Sequence, residues 1–171
     1  PVNCIPLSAA DVNPAKFYDA IASGNAQGFN TGDSSTLTAY EDAINLMANS
    51  DEYDINLMLL PGLNIANDSS LINKAIDVCE DRGDCFAIID PVTYGSTVAA
   101  ATTQAEAVDS NFAAMYWPWV KVPDSQVAGT QRWVPPSTVL GGIYAFNDKV
   151  AHPWFAPAGL NRGGLDTVIM A

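Results

Sequence analysis

Asp90 is placed where an α/β enzyme would hold a catalytic carboxylate. It follows a run of apolar, β-forming residues at 85–89 and precedes Pro91. Ligands in α/β folds bind beyond the carboxyl ends of the strands, and a loop carboxylate such as Asp68 could complete a hydrolase site there. An Asp-Pro pair is also an ordinary way to end a strand, and no motif directs a second group to Asp90. We therefore expect a structural role.

The remaining candidate nucleophiles and bases have no partners in the sequence. His152 is the sole histidine, and no Gly-x-Ser-x-Gly elbow occurs. The three cysteines, Cys4, Cys79 and Cys85, cannot all pair within one chain and form no zinc-type cluster. We expect free, mostly buried thiols in a reducing compartment. The sequence predicts no catalytic, cofactor-binding or metal-binding residue.

The tryptophans allow a binding function as well as a packing function. Exposed rings at Trp133 or Trp154 would suit a module that binds sugars or peptides. Aromatic residues flanked by proline and β-formers more often pack in a core or an interface. We expect packing for all four tryptophans, which are Trp117, Trp119, Trp133 and Trp154.

Two short loops carry arginines that invite a functional interpretation. Residues 82–84 are Arg-Gly-Asp, which is a cell-adhesion tripeptide. They lie between a predicted helix and a predicted strand, so Gly83 is expected to cap the helix. Residues 161–164 are Asn-Arg-Gly-Gly, which could place Arg162 against an acidic neighbour or form a solvated turn. Both loops are therefore expected to be structural or solvated.

Length, charge and hydropathy exclude several classes of protein. A chain of 171 residues with 49% hydrophobic residues fits one globular domain. No apolar run is long enough to span a bilayer. The formal net charge of −12 argues against direct contact with nucleic acid, because phosphates would be repelled. The acidity is more typical of a solvated surface, or of a contact face with a basic partner.

Hydrophobic spacing predicts alternating helices and strands in the first two thirds of the chain. The predicted elements are a short helix opening at Asn13-Pro14, a glycine-rich loop at 23–33, a helix from Ser34 or Ser35 to Ala48, a strand at 55–60, a helix from Asn67 or Asp68 to Gly83, a strand at 85–89 and a helix at 96–108. This alternation is typical of a parallel sheet covered by helices, with right-handed crossovers.

Residues 111–148 contain the least ordinary sequence. NFAAMYWPWVKV (111–122) predicts a strand buried on both faces, with a bulge or an end at Pro118. Residues 131–134 return as an antiparallel strand, which Pro135-Pro136 ends. Ser137 is expected to cap a helix whose apolar residues are Val139, Leu140, Ile143 and Phe146. The predicted fold is α/β, with a mixed, largely parallel central sheet flanked by helices and an antiparallel hairpin.

The order of two blocks, AAMYWPWVKV and then WVPPSTVLGGIYAFND, resembles the central motif of contractile phage tail sheath proteins. In that family a strand ending in Tyr/Trp-Pro-Trp-Val leads, after a variable hairpin, into a Val-Pro-Pro-Ser helix start. LMLLPG (57–62), RGDCFAIIDP (82–91), Trp154, APAG (156–159) and Asn161-Arg162-Gly163 extend the resemblance to about 55–164. One departure is KVAHP at 149–153, where the family usually has a basic Arg-Gly segment.

The resemblance implies a structural protein and not an enzyme. It implies that residues 1–171 are a single core domain, truncated at both ends, of a subunit that polymerises helically around an inner tube protein. Contraction of that sheath drives injection, and the subunit belongs to the virion tail, assembled in the host cytoplasm. Later strands in the family link neighbouring subunits, and the apolar residues 168–170 are compatible with strand sharing. The isolated chain is then expected to be monomeric.

Two other functions remain open from the residues. An α/β hydrolase with a site at Asp90 predicts a concave pocket beyond the strand ends, with converging carboxylates. A carbohydrate- or peptide-binding module predicts solvent-facing rings at Trp133 or Trp154. The sheath function predicts a surface without a deep polar pocket.

Overall fold

A computed structural model describes residues 34–125, 127–152 and 154–171, apart from the side chain of Ser35. The predicted helix at Asn13-Pro14 and the loop at 23–33 lie outside these residues. The elements in chain order are α1 (Ser34–Met47), β1 (Leu57–Leu59), α2 (Ile65–Arg82), β2 (Phe86–Ile89), α3 (Val98–Glu106), β3 (Ala113–Met115), β4 (Val120–Pro123), β5 (Gln131–Val134) and α4 (Ser137–Val150).

The first three strands form a parallel sheet in the order β1-β2-β3, so β2 is central. Met58 pairs with Ala87, and Ala87 pairs with Ala113 on its other side. Strands β4 and β5 form a separate antiparallel hairpin sheet. The α/β fold with a parallel sheet and an antiparallel hairpin is confirmed, although the hairpin does not extend the central sheet.

Alternating side chains bury both faces of the parallel sheet. Met58, Ala87 and Ile89 pack into a core with α1 and α2, which contribute the apolar stripes that their spacing predicts. Ile88 points to the other face, where it packs against Leu140 and Ile143 of α4. The molecule therefore has helices on both sides of a short sheet. No helix in the described part of the chain is long and apolar enough to cross a membrane.

Helix α2 is assigned from Ile65, but its backbone leaves helical geometry at Asp68 (φ −120°, ψ 38°), so the predicted start at Asn67 or Asp68 coincides with a kink between a short first turn and the main helix. Its N-cap is Asn64, whose side chain accepts a hydrogen bond from Asn67 N at 3.2 Å. In turn, the side chain of Asp68 accepts a hydrogen bond through Oδ2 from Asn64 N at 3.1 Å. The two residues therefore act as a reciprocal cap around the first turn. Gly83 ends the helix in the left-handed conformation (φ 71°), as predicted.

The stretch 111–122 is two strands and not one. β3 ends at Met115 and β4 begins at Val120, with a cis Trp117–Pro118 bond between them, so the predicted interruption at Pro118 is confirmed. Burial on both faces is wrong for β3, because all three of its residues are only half-buried. β3 is an edge strand of its sheet, so it has a neighbouring strand on one side only and its residues are less covered.

Candidate functional site

The carboxylate of Asp90 connects the end of β2 to the start of α4. Its Oδ1 accepts a hydrogen bond from Ser137 N at 3.1 Å, and its Oδ2 accepts from Ser137 Oγ at 2.6 Å. Both side chains are buried, with residue exposures of 2% and 1%. Ser137 was predicted to cap α4 with its own side chain, and this is wrong. The N-cap residue is Pro136, which makes no side-chain cap bond, and the Ser137 hydroxyl is used by Asp90.

The backbone around Asp90 also anchors the start of α2. Ile65 N donates to Asp90 O at 3.1 Å, and Ala66 N donates to Pro91 O at 3.3 Å. Burial raises the pKa of the Asp90 carboxyl above its ordinary value, and the two hydrogen bonds from Ser137 partly offset that effect. Asp90 is thus the point where one strand and the first turns of two helices are joined.

The geometry at Asp68 and Asp90 gives each carboxylate a structural task. Asp68 caps α2 and Asp90 holds the first turn of α4, so each has an oxygen occupied by a backbone N–H. No group of three or more His, Cys, Asp or Glu side chains in the described residues is arranged to hold a metal ion. A cavity of about 330 Å³ lies away from both carboxylates, between α4 and residues 160–167. Both candidate carboxylates of the hydrolase hypothesis are thus engaged in helix starts.

His152 packs within an aromatic cluster that follows α4. Its ring stacks on Trp154 at 4.4 Å between centroids and also faces Phe155 at 6.0 Å. Arg162 lies with its guanidinium 5.0 Å from the centre of the Phe155 ring, so its described contact is aromatic. Asn147 donates through Nδ2 to Phe155 O at 2.8 Å and fixes the loop against α4. The histidine therefore has a packing role.

The two described cysteines are buried in the core, one within α2 and the other immediately before β2. Cys79 and Cys85 are free and have exposures of 0% and 4%, whereas Cys4 lies outside the described residues. Burial, reinforced by the neighbouring Cys85 thiol, raises the pKa of Cys79 to about 12. A thiol that stays protonated at neutral pH is a poor nucleophile.

Arg82 connects three segments and does not present an adhesion tripeptide. Its Nη1 donates to Met47 O at 2.6 Å, and its Nη2 donates to Tyr53 O at 2.9 Å. The same guanidinium donates hydrogen bonds to both carboxylate oxygens of Asp84 at 2.8 Å, and these bonds lower the pKa of that carboxyl. The Arg82 side chain is only 1% exposed. No spacing pattern predicts this contact, because its partners are the backbone carbonyls of Met47 and Tyr53, which lie 35 and 29 residues away in sequence.

The tryptophans divide into a packed pair and an exposed pair. Trp119 donates through Nε1 to Val92 O at 3.0 Å, and Tyr94 packs against both Trp119 and Trp133. Trp117 and Trp154 are 41% and 77% exposed, so they do not pack in the core of this chain, and packing in an interface stays a prediction for these two. Both follow the end of a regular element, where no helix or strand face covers them.

The hairpin receives the end of the chain as a third strand-like piece. Lys121 N donates to Met170 O at 2.7 Å, and Ile169 N donates to Lys121 O at 2.8 Å. Residues 169–170 therefore lie against the edge of β4 that β5 does not use. Their side chains are about half exposed. The apolar residues 168–170 thus reach a sheet edge within this chain.

A second contact missed from the sequence joins β3 to α4. The hydroxyls of Tyr116 and Tyr144 lie 2.8 Å apart, and burial raises the pKa of Tyr144 well above its ordinary value. Tyr116 immediately follows β3, and Tyr144 is on the half-buried side of α4. Like the Asp90–Ser137 pair, this contact joins residues far apart in sequence, and no spacing rule predicts such a pair.

The fold is similar to that of a contractile sheath protein. Its structure is similar to the helical sheath of the anti-feeding prophage in the contracted state, solved by cryo-electron microscopy. That similarity has a TM-score of 0.52 and 22% identity, and it covers 77% of this chain and 34% of the sheath chain.

The sequence is similar to the tail sheath protein of Vibrio phage KVP40, at 29% identity over 82 residues. This match covers 48% of the chain and spans 10% of the phage protein. No protein-family model matches. The resemblance to tail sheath proteins is thus confirmed by one sequence relative and by the fold.

Proposed function

We propose that this chain is the core domain of a structural subunit of a contractile tail sheath, which polymerises helically around an inner tube and contracts to drive injection. The observation that carries the proposal is the agreement of a fold match over 77% of the chain with a separate sequence match. Both name sheath proteins. A subunit of this kind acts by changing its contacts with other subunits and performs no chemistry.

The geometry around Asp90 suits a domain that moves as a unit. β2, α2 and α4 meet at one buried carboxylate and its backbone neighbours. Opposite sheet faces are packed by α2 and α4, so a displacement of one layer would break buried contacts on the other. Contraction is then a change between two packings of nearly rigid domains.

The partners follow from this role. They are further copies of the same subunit and an inner tube protein, while direct contact with nucleic acid is disfavoured by the net charge of −12. The subunit is assembled in the host cytoplasm and resides in the virion tail. The 171-residue chain by itself is expected to be monomeric at micromolar concentration, because helical growth needs several contacts per subunit.

Electron microscopy of the gene product that carries these 171 residues tests the proposal. We expect ordered tubes of uniform width, and helical reconstruction should place this domain repeatedly around a hollow axis. The 171-residue chain alone, examined at the same concentration, serves as the control and is expected to remain dispersed. A folded gene product that stays dispersed at high concentration, with and without a tube protein, would overturn the sheath function.

One observation favours a second candidate function. The Trp154 ring is 77% exposed, as a sugar- or peptide-binding module would require, although His152 covers one of its faces. Titration with oligosaccharides while monitoring tryptophan fluorescence tests this function. A saturable change that disappears in Trp154→Ala, and persists in Trp117→Ala, would support it.

A further inference from the structure

Cys79 and Cys85 form a pair of thiols inside the core, which we name the core dithiol. Cys79 lies near the end of α2, one turn before the cap at Gly83, and Cys85 immediately precedes β2. Residues 80–84 separate them in sequence, and both belong to the buried cluster to which α1, α2 and the parallel sheet contribute. Two thiols in one cluster differ from an isolated cysteine, because they can react with each other.

The turn at Gly83 brings the two thiols together. Gly83 N donates to Cys79 O at 3.0 Å, and its left-handed conformation (φ 71°) turns the chain away from the helix. Phe86 N donates to Asn56 O at 3.1 Å and fixes the start of β2 beside β1. The side chains of Cys79 and Cys85 are thereby held within hydrogen-bonding reach of each other. Thiols that already touch need little backbone movement to form a disulfide.

The two thiols differ in their surroundings. Cys79 is 0% exposed and Cys85 is 4% exposed. The Arg82 guanidinium is also within hydrogen-bonding reach of the Cys85 side chain. A positive charge beside a sulfur stabilises the thiolate that attacks in an exchange reaction. Cys79 has no solvent-exposed surface, and burial raises its pKa to about 12. Cys85 is therefore the thiol that reacts first, and Cys79 reacts second.

Arg82 holds the turn that leads to Cys85 in place. Its guanidinium donates to Met47 O at 2.6 Å and to Tyr53 O at 2.9 Å, which joins the turn to the segment after α1. It also bonds both carboxylate oxygens of Asp84 at 2.8 Å. Because Cys85 is 4% exposed, an oxidant reaches its sulfur only when this turn opens locally. Oxidation of the folded chain is therefore expected to be slow.

We propose that the core dithiol is a modification site, at which a low-molecular-weight disulfide such as glutathione disulfide oxidises Cys79 and Cys85 to an internal disulfide. In the first step the Cys85 sulfur attacks the oxidant, whose S–S bond breaks, and one glutathione leaves with the Cys85 proton. In the second step the Cys79 sulfur attacks the Cys85 sulfur of the mixed disulfide, and the second glutathione leaves with the Cys79 proton. The chain loses two electrons, and the oxidant gains them.

The disulfide joins the end of α2 to the start of β2, which is the central strand of the parallel sheet. Such a cross-link restricts the unfolded chain and so stabilises the folded one. A reducing cytoplasm keeps the two thiols free while the subunit is assembled, and a released particle meets oxidants outside the cell. This setting rests on the proposed function, whereas the chemistry of the core dithiol does not.

Oxidation of the 171-residue chain carrying Cys4→Ser tests the site. The folded chain is kept with reduced glutathione alone or with an excess of glutathione disulfide, and free thiols are then blocked with N-ethylmaleimide in denaturant. Intact mass spectrometry should find both thiols blocked in the reduced sample and neither, after hours, in the oxidised one. Trypsin cleaves after Arg82, so peptide 75–82 should stay joined to peptide 83–121 only in the oxidised sample.

Two matched controls carry Cys79→Ser or Cys85→Ser together with Cys4→Ser. Cys79→Ser should stop at the mixed disulfide and gain one glutathione, whereas Cys85→Ser should stay unmodified, because Cys79 is 0% exposed. Oxidation of the chain with both cysteines should raise its midpoint of thermal unfolding by about 5 °C, and oxidant should not shift the midpoint of Cys85→Ser. If a serine variant fails to fold, the chain with both cysteines decides the proposal.

The outcomes separate the modification site from the sheath function. Folded chains that keep both thiols free for days in excess glutathione disulfide would overturn the site, as would disulfides that link only different molecules or form only in urea. Glutathione on Cys79 in the Cys85→Ser variant would overturn the assignment of Cys85 as the first thiol. An internal disulfide in a chain whose gene product forms no tubes would support the site and count against the sheath. Tubes whose subunits resist oxidation would do the reverse.

Discussion

The layers between Ser34 and Asn147 and the segment after Asn147 use apolar side chains in opposite ways. The first region supplies every buried residue of the described chain, including Leu71 at 0% exposure. In the second region no described residue is buried, although Trp154 and Leu160 lie there. The comparison shows that the same residue types stabilise the fold in one region and stand exposed in the other.

The difference has its origin in local structure. The first region is built of helices and strands, whose periods of 3.6 and 2 residues gather apolar groups on one face. Residues 151–171 contain two prolines and three glycines, including Gly159 at φ 77°, and make no helix or strand in the described residues. Without a regular period, the apolar groups of this segment cannot be gathered on a buried face.

The largest expected effect comes from shortening one leucine in each region. Leu71→Ala should lower the free energy of unfolding by about 3 kcal/mol, because it leaves a cavity in the core. Leu160→Ala should change it by no more than about 0.5 kcal/mol, because the side chain touches solvent. Urea unfolding followed by circular dichroism measures both. Equal losses would contradict the division between the regions.

The junction at Asp90 is the next test. Asp90→Ala leaves the Ser137 N–H and hydroxyl without their buried partner, and should cost about 2 kcal/mol at neutral pH. Asp148→Ala removes an exposed carboxylate of α4, the helix that Asp90 contacts. It serves as the control, and little change in stability is expected. Chemical unfolding measures the free energy of unfolding of both variants. Comparable losses would show that the Asp90–Ser137 contact does not stabilise the fold.

The pH dependence of that junction has a defined sign. The folded-state pKa of Asp90 lies above the ordinary value of 3.8, so the folded chain holds this proton more tightly than the unfolded chain. The resulting stabilisation is fully present below pH 3.8 and is lost as pH rises through the folded pKa. The stability difference between the wild type and Asp90→Ala should therefore shrink with rising pH across that window. A difference that grows instead would contradict the raised pKa.

Two glycine substitutions compare the C-terminal end of α2 with the face of α4 that borders the second region. Gly83→Ala should destabilise the chain by about 1 kcal/mol, because φ is 71° at the end of α2. Gly142→Ala should stabilise it by up to about 1 kcal/mol, because a Cβ there meets nothing within 4 Å and alanine favours helix. Thermal unfolding measures the opposite shifts. A destabilising Gly142→Ala would mean that the cavity between α4 and residues 160–167 does not tolerate a methyl group.

The smallest expected effect concerns the strand-like piece at residues 169–170. Ile169→Pro removes the N–H that donates to Lys121 O, and should cost about 1 kcal/mol locally. Amide exchange at Lys121 N should then accelerate about fivefold, while Ile169→Ala keeps the bond and changes exchange little. Unchanged exchange in the proline variant would show that the pairing does not protect β4.

Local pattern was sufficient for most of the elements. The stripes of α1 and α2, the strand before Asp90, the cap at Gly83 and the hairpin strand at 131–134 were all predicted from spacing and turn residues. The turn of α2 before the kink at Asp68 was not predicted, because Asn64 precedes the apolar spacing and its cap depends on a reciprocal bond with Asp68. Local rules succeed where the decisive contacts lie within one helix turn or one strand.

The roles of single residues depended on contacts that no local rule contains. Asp90 was predicted to end a strand, but its bond to Ser137 spans 47 residues. Ser137 was predicted to cap a helix with its hydroxyl, which Asp90 takes instead. Trp119 and Trp154 look alike in sequence, yet Trp119 is half-buried with its Nε1 bonded to Val92 O and its ring against Tyr94, whereas Trp154 is 77% exposed.

The sequence by itself determined the alternation of helices and strands, the hairpin and the resemblance to sheath proteins, because hydrophobic period and turn chemistry are local properties. Only the tertiary structure decided which side chains meet and which stay exposed. The pairing of Asp90 with Ser137 follows from how α4 lies on one face of the sheet, and Trp154 stays exposed because no helix or strand covers the segment after α4.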